Sequence, residues 1–132
     1  MASHSKDIHW CICGCRATEE HHIVFRSQCK ALENCEINKI YLCFNCHRGD
    51  VGVHGKNGHY LDSRLKLKFQ NRLEIMLNKQ QVTKEEINEV LKISDKALYT
   101  LLKTLKVDKG KYDREDVIRA CMGGKMVIER YK

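Results

Sequence analysis

Between residues 9 and 59 the chain gathers seven of its eight cysteines and six of its seven histidines. No other feature restricts the fold so strongly, because side chains of this kind at metal-ligand spacing tie distant segments together. Two cysteine groups stand out, "WCICGC" with Cys11, Cys13 and Cys15, and "YLCFNCHRG" with Cys43 and Cys46. A C-x2-C pair chelates one tetrahedral ion with two thiolates while nearby backbone amides satisfy the sulfurs. Cys43 and Cys46 supply one such half-site. The first group supplies the other, since Gly14 permits the tight turn that a knuckle needs. Cys11 and Cys13 are the expected pair, with Cys15 an alternative for one place. The expectation is a structural zinc held by four cysteines. Cys29, Cys35 and Cys121 have no partner at ligand spacing and are expected to carry no metal.

At 132 residues the chain suits one ordinary domain, or a small domain with an appendage. It contains no apolar run long enough to span a membrane, and its opening "MASHSKDIHW" is too polar for a secretory leader. The expected location is the cytoplasm, where the thiols stay reduced. The net charge of +7 is uneven: residues 1–60 carry seven Lys or Arg against six Asp or Glu, and residues 61–132 carry seventeen against eleven. A basic surplus in the second half suits a polyanionic partner, although lysine-rich helices also serve solubility.

The runs "HHIVF" and "NKIYLC" are rich in β-branched and aromatic residues and read as two strands of a hairpin joined by a long loop. From Asp62, a candidate N-cap, to about Lys79, apolar residues recur at Leu65, Phe69, Leu73, Met76 and Leu77, which predicts a helix with one buried face. Beyond it, Thr83 and Glu86 make a capping box for a short helix that buries Ile87, Val90 and Leu91. A second helix from Asp95 to Leu105, capped by Ser94, buries Leu98, Leu101, Leu102 and Leu105. Lys92 falls where the intervening turn needs a positive φ. Gly110 permits a further turn, and Asp113 caps a last helix closed by Gly123 and Gly124. Two short helices, a glycine turn and a third helix have the layout of a helix-turn-helix with a rudimentary wing. A plain helical bundle has the same pattern.

His21 and His22 stand side by side. Neighbours on an extended strand point to opposite faces, so one can hold a metal while the other stays free. A free neutral imidazole, with an ordinary pKa of ~6.5, suits taking a proton from water near neutral pH.

The order "HHI" at 21–23, "NKIYLC" at 38–43 and "CHRG" at 46–49 resembles the HNH family of endonucleases, with His22, Asn38 and His47 as the letters of the name. The likeness covers residues 10–78 and extends to small phage and bacterial HNH proteins with a helical tail. It departs from the family at the first knuckle, commonly C-x2-C-G, where Trp10 precedes thiols at 11, 13 and 15. The resemblance implies a β-hairpin and a helix around one catalytic divalent ion (Zn, Mn, Ni, Co or Mg), and hydrolysis of a DNA phosphodiester. It implies His21, His47 and His54 as metal ligands, His22 as general base, and Asn38 as the residue that orients the His22 loop. Arg26 and Arg48 would grip phosphate.

The expected fold is therefore α+β: a zinc-stabilised ββα-metal module over residues 1–79, followed by a helix-turn-helix-like tail over residues 80–132. Lys96, Lys103 and Lys106 of that tail are candidate phosphate contacts. Double-stranded DNA is the expected partner, no membrane is expected, and a protein partner or homodimer stays open. Two rivals are a non-catalytic zinc-containing DNA-binding regulator and a scaffold acting through a protein partner.

Overall fold

The computed structural model describes residues 8–128; residues 1–7, which hold most of the polar opening, lie outside them. The fold is α+β. Its contacts divide the chain into two compact units, Met1–His21 with Lys39–Arg64, and His22–Asn38 with Leu65–Lys132.

In the first unit, β1 (His9–Trp10) pairs antiparallel with β2 (Arg16–Ala17). The turn between them is closed by Cys11 N–H to Cys15 O at 2.8 Å and Gly14 N–H to Cys11 O at 2.9 Å, with Gly14 at φ 95°. The next strand, β3 (Glu19–His22), pairs with β4 (Lys39–Leu42). Thr18 N–H reaches Leu42 O at 3.1 Å and Ile23 N–H reaches Asn38 O at 2.8 Å, so the two strands run in opposite directions. β3 begins earlier than "HHIVF" suggests and stops at His22. Past that point Val24 bonds to the side chain of Asn38, which takes the place of a ladder partner. The short helix α1 (Phe44–Arg48) follows β4, and the tyrosine of β4 stacks on β1, His9 and Tyr41 lying 3.7 Å apart.

The long helix α2 (His59–Met76) starts three residues before the expected cap, because Asp62 N–H already donates to Gly58 O. Asp62 is thus a first-turn residue and not the N-cap. Leu65, Phe69 and Leu73 are buried as the period requires, but Gln70 joins them and Met76 is exposed. Gln70 keeps its place by exchanging two hydrogen bonds with the backbone of Val127, as a buried amide must.

In the second unit, β5 (Gln81–Thr83), β6 (Val107–Asp108) and β7 (Lys111–Asp113) form one antiparallel sheet in the order β5-β7-β6. Lys109 and Gly110 turn between β6 and β7 with φ 53° and 78°, the paired positive values of a tight hairpin turn. Thr83 and Glu86 form the capping box of α3 (Lys84–Leu91). Ser94 caps α4 (Asp95–Leu102), which ends three residues short of Leu105 and leaves that leucine only half-buried. Asp113 precedes α5 (Arg114–Cys121) but makes no side-chain cap bond. The 3-10 turn Lys30–Leu32 packs on α4, Cys35 Sγ donates to Leu91 O at 3.2 Å, and Gln28 lies against Gly123. The segment after His22 thus shares a core with the tail.

Between α3 and α4 the chain turns through Lys92, left-handed at φ 53° and ψ 49°. Asn88 locks the turn by bonding both the N–H and the carbonyl of Ile93. A side chain in that conformation costs roughly 1–2 kcal/mol, partly offset in glycine by its larger backbone entropy. Lys92→Gly is therefore expected to raise stability by up to about 1 kcal/mol, readable as a higher thermal midpoint.

Candidate metal centres

Helix α1 is five residues long and carries ligands for two separate groups. Cys43 stands at its N-cap and Cys46 within it, and Cys11 and Cys13 from the β1–β2 turn meet them, all four sulfurs lying within 4.8 Å of one another. Sγ of Cys13 and Sγ of Cys43 are 3.7 Å apart. Thiolates on a tetrahedral ion at 2.3 Å stand about 3.8 Å apart, so the spacing fits a bound metal without rearrangement. Cys15, which closes the turn through its carbonyl, is exposed and outside the group. The electrostatics also suit a cation. Burial opposes ionisation of Cys11, but backbone bonds from Cys13 and Cys43 and thiol bonds from Cys46 and Cys13 draw it down to about 7, while burial and the thiols of Cys11, Cys13 and Cys43 push Cys46 up. One sulfur of the set ionises readily at the expense of its neighbour, and four thiolates at this distance need a positive ion.

The other group is made of imidazoles. His21, His47 and His54 place a ring nitrogen each within 4.8 Å of the others, their ring centroids 4.8 to 5.0 Å apart. His21 and His47 are buried and His54 is exposed, so the group opens to solvent on one side. Three protein ligands with an open position are the arrangement of a reactive centre, whereas four thiolates close a structural one.

Glycines bring His54 back to α1. Gly49, Gly52, Gly55 and Gly58 recur every third residue, and each N–H from Gly52 onward donates to the carbonyl of the preceding glycine, at 3.0, 2.7 and 3.2 Å. The resulting staircase lets Val53 N–H reach Cys46 O and His54 N–H reach His47 O, at 2.8 and 2.9 Å. A Cβ at Gly55 would strike the carbonyl of Gly49. Gly55→Ala is therefore expected to displace His54 and weaken metal binding at the imidazoles by about 10- to 100-fold, the scale for loss of an orienting contact. Calorimetric titration with a divalent ion reads that change, and the four-cysteine group serves as its internal reference.

One contributor has no signal in the histidine and cysteine pattern. Glu19 lies two residues before His21, on the same face of β3, and its carboxylate accepts from Nδ1–H of His47 at 2.5 Å and from Nε–H of Arg48 at 3.0 Å. The His47 bond, with help from Arg48, keeps the Glu19 carboxyl below its ordinary value. With Nδ1 protonated, His47 has Nε2 left for a metal, the usual relation between a ligating histidine and its supporting carboxylate.

His22 and Asn38 belong to the second unit. His22 is half-buried, and its Nε2 lies 2.8 Å from Glu33 O. A carbonyl only accepts, so Nε2 carries the proton and Nδ1 keeps the lone pair. Asn38, fully buried, accepts from Val24 N–H and donates to Val24 O and Leu32 O. It therefore ties the residues just after His22 to those just before Glu33.

The expected phosphate grips fare differently. Arg26 pairs with Glu33 and Arg48 with Glu19, each at 3.0 Å. Lys96, Lys103 and Lys106 are exposed, and Lys103 borders an open groove of about 700 Å³ with Leu98 and Tyr99, where Glu85, Glu89 and Asp95 add negative charge. Cys29, Cys35 and Cys121 are buried, and burial raises all three thiols. Among the described residues no helix is long and apolar enough to cross a membrane. Both clusters, four cysteines and three histidines, could hold a metal ion. In comparisons with known proteins, no family model matches the chain, and no curated protein or solved structure matches it.

Proposed function

We propose that the chain is a metal-dependent endonuclease of the HNH kind that hydrolyses DNA phosphodiesters, with a structural zinc at Cys11, Cys13, Cys43 and Cys46. The observation that carries this reading is the open three-histidine group with His47 oriented by Glu19. Binding alone does not require it.

A divalent ion at His21, His47 and His54 would supply positive charge at the scissile phosphate and at the departing 3′ oxygen. Nδ1 of His22 takes the proton of the attacking water, and Nε2–H stays bonded to Glu33 O, so the charge that develops on the ring meets a carbonyl dipole. The water oxygen joins phosphorus, the bond from phosphorus to the 3′ oxygen breaks, and that oxygen takes a proton from solvent. A 5′-phosphate and a 3′-hydroxyl result. Asn38 keeps the His22 loop in place through backbone bonds and touches no substrate. In this reading α3 and α4 act as a helix-turn-helix, with β6 and β7 as a small wing and Lys96, Lys103 and Lys106 toward phosphate. The capping box, the three-residue turn and the hairpin support it.

Incubation with supercoiled plasmid and a panel of divalent ions tests the reading. Relaxed or linear product with at least one ion, abolished by EDTA, is expected. Binding without cleavage under every ion favours a regulator, and neither binding nor cleavage favours a scaffold.

A further inference from the structure

Helix α2 has an exposed side that takes no part in either metal group. From Tyr60 to Ile75 its exposed positions are Tyr60, Arg64, Lys68, Asn71, Arg72 and Ile75. At 100° per residue these six fall within about 120° of the helix circumference. Three are cations and none is an anion, since the two acids of the helix, Asp62 and Glu74, lie outside that arc. Arg64, Lys68 and Arg72 form no ion pair among the described residues; Arg64 sits over the Tyr60 ring at 5.9 Å. Elsewhere in the chain Arg26, Arg48, Lys79 and Arg119 are each paired with a glutamate.

We infer that this row of α2 is a phosphate-backbone contact surface for double-stranded DNA. The inference rests on the reading of DNA as the partner and adds the surface that meets it. Arg64, Lys68 and Arg72 follow one another at four-residue intervals, so the row runs about 12 Å along the helix. That length covers about three phosphates of one strand at 3.4 Å each. Contacts from such cations to phosphate position a duplex and carry no sequence information by themselves. An anionic membrane suits the row less well. Helices that lie on membranes bury a broad apolar face in lipid, whereas the apolar face of α2 is spent on Leu65, Phe69 and Leu73 inside the protein.

The test is binding of a short labelled duplex to the full chain without added divalent ion, across ~50 to ~200 mM salt. A triple variant, Arg64→Gln with Lys68→Gln and Arg72→Gln, is expected to bind more weakly and to lose between two and three from the slope of log affinity against log salt, about 0.9 per phosphate contact. The charge-keeping triple Arg64→Lys, Lys68→Arg and Arg72→Lys should retain the slope, which separates lost contacts from a lost fold. An unchanged slope in the glutamine triple overturns the inference, most directly if glutamines at Lys96, Lys103 and Lys106 do reduce it. Binding to vesicles of anionic phospholipid but not to duplex also overturns it. A wild-type chain that binds duplex through this row yet cuts no plasmid leaves the inference standing and removes the nuclease reading alone.

Discussion

His22→Ala is expected to lower turnover on plasmid DNA by ~10² to 10⁴, the usual scale for loss of a general base, while metal and DNA binding persist. His21→Ala should do the reverse and weaken metal binding first. The contrast follows from their positions: consecutive strand residues face opposite ways, with His21 buried among the other imidazoles and His22 half-buried with Nε2 on Glu33 O. Calorimetric titration of both variants with a divalent ion, beside plasmid cleavage rates, reads the two roles separately. Equal loss of metal affinity in both would mean that His22 is a ligand and that the water-activating role belongs elsewhere.

Cys43→Ser or Cys46→Ser is expected to unfold the unit formed by Met1–His21 and Lys39–Arg64. Its strands are two to four residues long and α1 has five, so little apolar area closes it without a metal. A structural zinc contributes about 10–16 kcal/mol in small domains of this kind, as much as the whole net stability of about 5–15 kcal/mol typical of a protein. Elemental analysis of protein purified without chelator should find tightly held zinc, and circular dichroism of either variant should show the loss. If no zinc is present, the four-cysteine reading fails. Acid should act in the same direction. In the metal-free protein, the depressed Cys11 thiol favours the folded state above its ordinary value of 9.0, and that contribution vanishes as pH falls through about 7. Metal retention should decline over the same fall, because protons compete for the sulfurs. Cys35→Ser should be tolerated much better, since a hydroxyl can still donate to Leu91 O.

The sequence by itself determined the features that depend on near neighbours. Ligand spacing marked Cys43 and Cys46 as one half-site, the capping box of Thr83 and Glu86 marked the start of α3, and the need for positive φ marked Lys92. Each arises within a turn or two of chain, where local geometry leaves few choices. Tertiary structure decided whatever depends on residues meeting from afar. It chose Cys13 over Cys15, because the closing hydrogen bond of the β1–β2 turn takes the Cys15 carbonyl and leaves its thiol outside. It brought His54 to His47 across a seven-residue gap through a glycine staircase that periodicity does not register. It gave Glu19 to His47 and so occupied Arg48, and it gave Glu33 to Arg26, since a carboxylate's partner is set by the strand or loop that faces it and not by its place in the chain. The partition of the chain has the same origin. Leu32 and Cys35 are apolar enough to need a core, and the nearest one available to them is built by α3, α4 and α5, more than fifty residues away in sequence.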